Sequence, residues 1–582
     1  MKLSDYVINF LVSKGVTHIF EVAGGSIAHL LDSLYGRKDI ISISMHHESA
    51  AAFAAEGYSR ASGNVGVAMA TSGPGATNLI TGIGSSFFDS IPCIFITGQV
   101  NTYEFKFKKN IRQIGFQETD IAAIVKPIVK ESVIISNPDQ IKFYLEKAFY
   151  LAKSGRPGPV LLDIPLNIQR AEVNPDNLKS FNKNFNKNNF YNVNDKVIRK
   201  VASLIMKSKR PVILIGGGLR LAKAQKELLA LINKTNIPTV CSMLGLDSFP
   251  HDEDSFVGMI GTYGNRYANL ALANCDLLIA LGTRLDTRQT GTMPDTFARG
   301  AKIIHVDIDK NELNNKVKVD LALNYDVKAF LTSLNDNLGD FDKDNIKEWL
   351  RIIKKYKEKY LSYKEPDGVE KIDPNYFVHK LSIFLPGNTV ICVDVGQNQI
   401  WSSQSLKILD SQRMLTQGGM GSMGSALAMA IGASFVDRSR TVVVIIGDGG
   451  FQLNIQELQT IYHHHLNIKI VLLNNHCYGM VRQFQEQYMN SRCQSTVLGY
   501  SCPNFKDVVQ AYKIEANKIY NNIEIDISLE QLFKNNSPSF LEVEIESNYK
   551  ALPKLSVGRP IEDQEPLLTR EELKSEMLID LL

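Results

Sequence analysis

Two stretches of the sequence decide the fold: TVVVIIGDGG at residues 441–450 and IKIVLLNN at residues 468–475. Each is an apolar, β-branched run that stops at polar residues, as buried strands of a parallel sheet do. The intervening stretch 454–465 is long enough for a crossover helix, which predicts a parallel, right-handed unit. Because parallel strands end at the same sheet edge, we expect Asp448 beside Asn475. Their side-chain oxygens are ligands that Mg²⁺ prefers.

The glycines after the first strand support a related prediction. Gly449 and Gly450 would let a diphosphate approach the backbone at a helix start. The competing interpretation is an ordinary strand–turn–helix connection in which Asp448 caps the helix. The asparagine pair at 474–475 favours the metal site over this alternative.

Bulk properties narrow the class of protein. The chain has 582 residues and a formal net charge of +3, so no global field favours a nucleic acid or a membrane. Its length predicts about two to four domains. The opening residues lack the apolar core of a signal peptide, and no apolar stretch is long enough to span a bilayer. Seven cysteines without a CxxC spacing are typical of reduced thiols, and we expect a cytoplasmic enzyme.

Short apolar runs alternate with amphipathic stretches along the chain, which predicts α/β domains with doubly wound parallel sheets. The expected order is a first domain at 1–176, a linker at 177–195, a central domain at 196–342, a linker at 343–373 with a helix at 346–363, a third domain at 374–549, and a tail at 550–582. The predicted strands are 16–21, 40–44, 66–70, 93–97 and 160–163; then 211–215, 239–242, 277–281 and 302–306; then 389–393, 441–446, 468–473 and 540–545.

A second group of chemically informative residues lies in the alanine-rich stretch 46–57. Glu48 is expected near the start of a helix that follows the strand at 40–44. A glutamate among small residues can be shielded from water, which lets it hold or share a proton. The competing interpretation is a carboxylate that the helix macrodipole favours at an N-terminus.

The central domain has a weaker signal. Gly216, Gly217 and Gly218 follow a strand, and Asp307 and Asp309 lie at the end of another. Such an arrangement can bind a dinucleotide. The spacing is not GxGxxG, however, and close packing of two chain segments explains the glycines equally well.

Taken together, the segments resemble the thiamine-diphosphate enzymes and, within them, the acetolactate synthase group. The resemblance covers nearly the whole chain, from residue 3 to residue 543. It rests on an ordered set of motifs: HE at 47–48, FAAEGY at 53–58, ATSGPGATN at 70–78, TGQV at 97–100, FQET at 116–119, GRPGP at 155–159, GGMGSMG at 418–424, GDG at 447–449, NIQEL at 454–458 and NN at 474–475.

The resemblance implies pyrimidine-binding and diphosphate-binding domains that flank a central Rossmann-like domain. It implies that Mg²⁺ is held by Asp448, Asn475 and the backbone carbonyl of Cys477. The implied diphosphate contacts are Gln397, Asn398, Gly449, Gly450, Gly479 and Met480. The implied pyrimidine contacts are Gly421, Met423, Pro74 and Asn78, and Met423 would support the bent cofactor.

The resemblance also implies a reaction, in which pyruvate or a similar 2-keto acid loses CO₂ and its two-carbon unit passes to a second carbonyl. Glu48 would promote proton transfer at the cofactor's pyrimidine, and Gln117 would orient substrate or stabilise an oxyanion. Further implied substrate contacts are Phe116, Arg288 and Phe484. A structural FAD is implied at Gly216, Gly217, Gly218, Arg284, Asp307 and Asp309.

In this family the equivalent of Glu48 comes from one subunit and the equivalents of Asp448 and Asn475 come from its partner. The resemblance therefore implies a homodimer or homotetramer with active sites at the subunit interface.

The sequence departs from the family pattern around the substrate entrance. Phe484 replaces a tryptophan, Leu166 a lysine, Ile260 a histidine, and Asn101 begins a segment that usually contains Pro and Arg. Three hypotheses follow: synthesis of 2-acetolactate from two pyruvates, acyl transfer to a keto-sugar nucleotide of a surface-polysaccharide pathway, or a catalytically silent assembly subunit. The tail has two interpretations, an active-site lid and a charged segment with a helix at 570–581.

Overall fold

The computed structural model describes residues 1–106, 109–182 and 189–582. Part of the predicted linker at 177–195 therefore lies outside the described residues. In the described part, three six-stranded sheets, all of whose strand pairs are parallel, follow one another along the chain. The predicted class, three parallel-sheet α/β units, is confirmed. The boundaries between the domains stay a prediction.

The first sheet has the strand order β2-β1-β3-β4-β6-β5. Its strands are β1 (His18–Glu21), β2 (Ile41–Ser44), β3 (Gly66–Ala70), β4 (Cys93–Gln99), β5 (Glu131–Ile134) and β6 (Val160–Pro165). Its helices are α1 (Leu3–Ser13), α2 (Ala28–Asp32), α3 (Glu48–Ser62), α4 (Pro74–Asn78), α5 (Ile80–Phe88), α6 (Ile121–Val125), α7 (Ile141–Lys153) and α8 (Leu166–Gln169).

The central sheet has the order β12-β11-β10-β7-β8-β9, which is the strand order of dinucleotide-binding sheets. Its strands are β7 (Pro211–Ile215), β8 (Thr239–Cys241), β9 (Phe256–Met259), β10 (Leu277–Leu281), β11 (Lys302–Val306) and β12 (Leu321–Leu323). Its helices are α9 (Asp195–Lys207), α10 (Gly217–Leu221), α11 (Gln225–Thr235), α12 (Arg266–Asn274), α13 (Thr287–Thr290) and α14 (Val327–Asn337), and α15 (Lys347–Lys359) follows.

The third sheet has the order β14-β13-β15-β16-β18-β17, the same as the first when strands are counted within each sheet. Its strands are β13 (Val390–Val393), β14 (Arg413–Leu415), β15 (Val442–Gly447), β16 (Ile468–Asn474), β17 (Glu515–Ile519) and β18 (Ser539–Glu544). Its helices are α16 (Pro374–Phe384), α17 (Gln397–Ser405), α18 (Ser425–Ser434), α19 (Asp448–Leu453), α20 (Leu458–His463), α21 (Gly479–Tyr488), α22 (Phe505–Ala511) and α23 (Ile525–Leu532).

The tail packs against the central and third units. A short hairpin of β19 (Lys554–Leu555) and β20 (Gln564–Glu565) precedes α24 (Arg570–Glu576). The Leu555 N–H donates to the carbonyl of Thr262, and Gln487 on α21 donates to Glu565. The structure thus corrects the predicted helix at 570–581, which is shorter, and it likewise ends the helix predicted at 346–363 at Lys359.

The predicted crossover between β15 and β16 is also corrected. Helical structure begins at Asp448 itself rather than at 454, and it is divided into α19, a 3₁₀ turn at Ile455–Glu457 and α20. Asn454 breaks the helix because its amide donates to the carbonyl of Gly424. The start at Asp448 brings the first helical turn directly to the end of the sheet.

Helices α3 and α18 join the first and third units through very close backbone contact. A methyl group at Gly432 would lie 1.8 Å from the carbonyl oxygen of Ala54, and one at Gly57 would lie 2.1 Å from that of Met429. Neither position can therefore hold a side chain without separating the helices. Within the described residues, no helix is both long and apolar enough to cross a membrane.

Candidate functional site

Three oxygen atoms converge where β15 and β16 end. One terminal atom of the Asn475 amide lies 3.0 Å from the carbonyl oxygen of Cys477 and 3.3 Å from Oδ1 of Asp448. The other terminal atom is the nitrogen, which donates to Oε1 of Gln397 at 2.8 Å. The reverse orientation would bring the oxygens of Asn475 and Gln397 together, since the Gln397 nitrogen already donates to Gln483 and to the carbonyl of Tyr549.

The metal-ligand prediction is consistent with this geometry. In this orientation of the Asn475 amide three acceptor oxygens face one another, and carboxylate, amide and carbonyl oxygens are the set that Mg²⁺ prefers. The Cys477 carbonyl also accepts from the N–H of Gly479 at 2.9 Å. Asp448 is buried, and its second oxygen accepts a hydrogen bond from the hydroxyl of Tyr500 at 2.7 Å. Burial raises the pKa of Asp448 to about 6. A bound cation would offset the cost of keeping this carboxylate ionised.

The glycines beside the three oxygens pack so closely against neighbouring side chains that none of them can carry a side chain. A methyl group would lie 2.4 Å from the Tyr478 ring at Gly449, 2.1 Å from Asp394 at Gly450, and 1.8 Å from Gln397 at Gly479. Gly479 also begins α21, whose first N–H groups have no partner within the helix, although the N–H of Gly479 donates to the carbonyl of Cys477 at 2.9 Å. A helix start of this kind can bind a diphosphate.

The other predicted diphosphate contacts are less uniform. Met480 is the half-buried second residue of α21. Asn398 is buried, and its amide donates to the carbonyls of Asp394 and Ile445, so it ties together the ends of β13 and β15. The Asn398 amide nitrogen is therefore already engaged by the fold.

The segment 417–424 (QGGMGSMG) connects β14 to α18 and passes beside the glycines. Gly421 and Gly424 have φ values of +69° and +81°, a region that favours glycine. The point where the oxygens of Asp448, Asn475 and Cys477 converge is called the metal corner below. Met423 lies beside it, since a methyl group at Gly449 would lie 3.4 Å from the Met423 Cε. Asp394 holds the end of the segment, because its buried carboxylate accepts from the N–H groups of Gly424 and Ala426. Sequence analysis missed Asp394, although it ends a strand much as Asp448 does.

The second group of predicted residues assembles around Glu48, the first residue of α3. Its Oε2 accepts from the amide of Asn78 at 2.9 Å. Pro74 begins α4, which ends at Asn78. Gln117 has a φ of +66°, and its Cβ would lie 2.9 Å from a methyl group at Gly73. The structure therefore brings Glu48, Pro74, Asn78 and Gln117 together.

Two predicted substrate residues are exposed. The Phe116 side chain next to Gln117 is 84% exposed, and Phe484 on α21 is 46% exposed, with its ring 4.8 Å from that of Tyr488. These aromatic groups lie beside different halves of the predicted site, Phe116 beside the Glu48 group and Phe484 beside the metal corner.

The Glu48 group and the three oxygens belong to different units of the chain. Glu48 contacts Asn78 just before α5, whereas Gly419 contacts Phe88 at the other end of that helix. Ten residues of helix separate these contacts by roughly 15 Å. In the part of the chain that the structure describes, no hydrogen bond or ion pair joins Glu48 or Gln117 to the three oxygens.

A cavity of about 760 Å³ lies at the C-terminal ends of the central strands, and residues of the first and third units, including Arg60, Asp89 and Gly418, also line it. The predicted flavin residues Gly217, Gly218, Arg284 and Asp307 line it, and so does Arg288. Gly216 lies behind it, where a methyl group would be 2.2 Å from the carbonyl oxygen of Gly282. Close packing of two segments and a ligand cavity therefore occur at the same glycines.

The acidic residues at this cavity have different roles. Asp307 is buried, and burial raises its pKa to about 6. Asp309 forms an ion pair with Arg156 at 3.2 Å. Sequence analysis assigned no role to Arg156, which lines the cavity from the GRPGP motif, although an arginine in a glycine–proline turn was an available signal. Arg220 and Arg413 also line the cavity, and both pair with Asp247.

Comparison with known proteins agrees with this architecture. Three family models match: "Thiamine pyrophosphate enzyme, N-terminal TPP binding domain" at residues 1–124, "Thiamine pyrophosphate enzyme, central domain" at 198–334, and "Thiamine pyrophosphate enzyme, C-terminal TPP binding domain" at 394–543. The fold and these matches define the chain as a thiamine pyrophosphate enzyme.

Similar proteins narrow the class. An acetolactate synthase large subunit of Cyanidium caldarium is 35% identical over 564 residues, 95% of this chain and 94% of the relative. A probable acetolactate synthase large subunit of Methanocaldococcus jannaschii is 38% identical over 580 residues, 96% and 94%. An acetolactate synthase large subunit of Lactococcus lactis is 35% identical over 559 residues, which are 95% of this chain and 94% of the relative. The chain belongs to the acetolactate synthase large-subunit family, and the predicted resemblance is confirmed.

Proposed function

We propose that the protein is a Mg²⁺- and thiamine-diphosphate-dependent carboligase that forms 2-acetolactate from two molecules of pyruvate. The observation that carries the proposal is the convergence of the Asp448, Asn475 and Cys477 oxygens beside glycines that exclude side chains. The family relatives named acetolactate synthase support the choice of reaction.

In this proposal the three oxygens hold Mg²⁺, and the backbone at Gly449, Gly450 and Gly479 receives the diphosphate. Gln397 fixes the Asn475 amide so that its oxygen faces the metal. Thiamine diphosphate, when bound, would supply a nucleophilic ring carbon, and its thiazolium ring would accept the electron pair left behind when CO₂ departs. Met423, which lies over Gly449, supports the cofactor in a bent shape, and Gly421 contacts its pyrimidine.

Glu48 acts as the proton carrier at the pyrimidine ring. The Asn78 amide holds one carboxylate oxygen at 2.9 Å, which leaves Oε1 free to face the ring nitrogen. A glutamate held in this way contributes through position as well as acidity. Gln117 is placed by its left-handed backbone beside the Gly73–Pro74 turn, where its amide can donate to a developing oxyanion. Phe116, Arg288 and Phe484 line the approach of the keto acids.

The lack of a hydrogen bond or ion pair between the two groups, in the described part of one chain, supports a shared site. If one pyrimidine ring must contact both Glu48 and the Gly421–Met423 segment, a second chain can bring the two together. A second copy related by a two-fold axis would supply Glu48 to the metal corner of the first, and the reverse. We therefore propose a homodimer, or a homotetramer built from such dimers.

FAD is the proposed occupant of the central cavity. The sheet order and the cavity size suit a dinucleotide, and Gly217 and Gly218 permit close approach of its pyrophosphate. Carboligation transfers no net electrons, so the flavin has a structural role here. A cytoplasmic location stays a prediction.

The experiment is incubation of the protein with pyruvate, Mg²⁺, thiamine diphosphate and FAD, with products identified by mass spectrometry. We expect 2-acetolactate and CO₂, and loss of both in a Glu48→Gln control. Acetaldehyde without a carbon–carbon product would contradict the proposal. Full turnover by Glu48→Gln would contradict the role of Glu48.

A second candidate differs only in the acceptor. Phe484 is 46% exposed on α21, and Leu166 and Asn101 replace residues usual in the family, which favours a larger acceptor such as a keto-sugar nucleotide. A competition assay that offers pyruvate together with a panel of keto sugars decides between the two. Exclusive use of pyruvate as the acceptor rules the second candidate out.

A further inference from the structure

Asp89 has a buried carboxylate that links the first unit to the segment 417–424 of the third. That segment, the pyrimidine segment, contains the predicted pyrimidine contacts Gly421 and Met423. Asp89 follows α5 directly, and its side chain has no solvent exposure. Its Oδ2 accepts from the N–H of Gly418 at 3.1 Å, and its Oδ1 accepts from the N–H of Gly419 at 2.8 Å. Two successive peptide groups are thus held by one carboxylate.

The charge of Asp89 is balanced by Arg60 on α3. The guanidinium of Arg60 donates to Asp89 at 2.8 Å and to Glu56 at 2.6 Å, and it also donates to the carbonyl of Thr416 at 3.0 Å. Arg60 and Asp89 together therefore hold residues 416–419 at three points. Charge-assisted hydrogen bonds in a buried setting are stronger than neutral ones.

The contact with Asp89 leaves no room for a side chain at Gly419. A methyl group there would lie 2.5 Å from Cβ of Phe88 and 3.0 Å from Oδ1 of Asp89. Gly421 lies two residues further along the chain and Met423 four residues further. Asp394 holds the far end of the segment at Gly424. Gly421 and Met423, the predicted pyrimidine contacts, therefore lie between two points of attachment. Asp89 of the first unit holds one end of the segment, and Asp394 of the third unit holds the other.

We propose that Asp89 is a positioning residue for the aminopyrimidine of thiamine diphosphate, acting through Gly418 and Gly419 to present Gly421 and Met423. This inference rests on the proposed function, because it requires that thiamine diphosphate binds at the metal corner. It assigns to Asp89 the pyrimidine half of the cofactor and not the diphosphate half, which Asp448 and Asn475 anchor.

The test compares two probes by isothermal titration calorimetry on the full-length protein in Mg²⁺: thiamine diphosphate and inorganic pyrophosphate. For Asp89→Asn we expect the Kd of thiamine diphosphate to rise about 10- to 100-fold, as for other residues that orient ligand-binding groups. The Kd of pyrophosphate should change by less than about twofold, since its contacts are untouched. Equal Kd values for thiamine diphosphate in wild type and variant would overturn the inference, and so would equal weakening of both probes.

Two further variants keep the outcome clear. Asp276 is a matched control, because its carboxylate also accepts from two successive N–H groups, those of Lys209 and Arg210, in the central unit. Asp276→Asn should bind both probes like wild type, and a similar loss there would mark the effect as general and sink the inference. If Asp89→Asn does not fold, Gly419→Ala displaces the same segment, because its methyl group would collide with Phe88 and Asp89. It should weaken the binding of thiamine diphosphate and leave the binding of pyrophosphate unchanged. Failure of the wild type to bind thiamine diphosphate would refute the proposed function instead.

Discussion

The first and third sheets share one strand order but carry different chemistry at their C-terminal edges. After its third and fourth strands, the third sheet has Asp448 and Asn475, which turn oxygen atoms toward one point. At the equivalent ends the first sheet has the Gly73–Pro74 turn and Val100, whereas Glu48 follows its second strand. The comparison teaches that one topology can present different groups at the same edge: carboxylate and amide oxygens in the third sheet, and a glycine–proline turn beside a helix-terminal carboxylate in the first.

The helices that follow the second strand of each sheet extend the comparison. They are α3 and α18, and they pack against each other with backbone contacts at Gly57 and Gly432. One helix begins with Glu48 and the other follows the Gly421–Met423 segment. The two units therefore meet through equivalent elements, which ties the position of Glu48 to that of the Gly421–Met423 segment.

The largest expected effect comes from breaking the metal corner. Asp448→Ala removes the only carboxylate of the three oxygen ligands, and we expect kcat/KM to fall by about 10³-fold or more, with loss of Mg²⁺-dependent binding of thiamine diphosphate. Steady-state kinetics and calorimetry check this. Retained Mg²⁺-dependent binding would show that the corner is not the metal site.

Glu48→Gln should separate proton handling from anchoring. We expect kcat to fall by about 10²- to 10³-fold because the amide cannot carry a proton. The Kd of thiamine diphosphate should stay within about threefold of wild type, because the shape and the contact with Asn78 are kept. A comparable loss of binding would mean that the two sheets do not divide the work in this way.

Gly432→Ala tests the contact between the equivalent helices. The added methyl group would lie 1.8 Å from the Ala54 carbonyl oxygen, and we expect unfolding free energy to fall by about 2–4 kcal/mol. Thermal or urea denaturation measures this. The control is Gly339→Ala, where a methyl group meets nothing within 4 Å and stability should be close to wild type. Equal stability of the two variants would show that the helices can separate at little cost.

Tyr500→Phe should have the smallest effect. It removes one hydrogen bond to Asp448, so the Mg²⁺ concentration at half-maximal activity should rise by about tenfold while kcat at saturating Mg²⁺ is unchanged. Titration of activity with Mg²⁺ checks this, with Tyr35→Phe, which is 92% exposed, as the control. A fall in kcat at saturating Mg²⁺ would assign Tyr500 a role beyond orienting Asp448.

Sequence patterns predicted the interior strands well and the edges poorly. Every predicted strand is present, with small shifts at its ends, whereas five strands of the three six-stranded sheets were missed: β5, β9, β12, β14 and β17. Each missed strand lies at the edge of its sheet. Edge strands are buried on fewer sides and tend to be short, so they lack the continuous apolar run that marks an interior strand. β14, for example, is only Arg413–Leu415.

Predicted site residues that end buried strands or form glycine turns lie close together in the structure, and their roles stay a prediction. Asp448 and Asn475 could be placed together because parallel strands share an edge. Asp89, Asp394 and Tyr500 were missed because their roles depend on contacts between distant segments, such as Asp89 with Gly418. No local pattern encodes such a pair.

The central claim is that each active site takes its metal corner from one chain and Glu48 from another. Its most direct test is subunit mixing of the inactive variants Glu48→Gln and Asp448→Ala. Random exchange makes half of the dimers mixed, and each mixed dimer has one intact site, so activity should return to about a quarter of the wild-type value. If exchange is verified by mass spectrometry and no activity returns, the shared site is wrong.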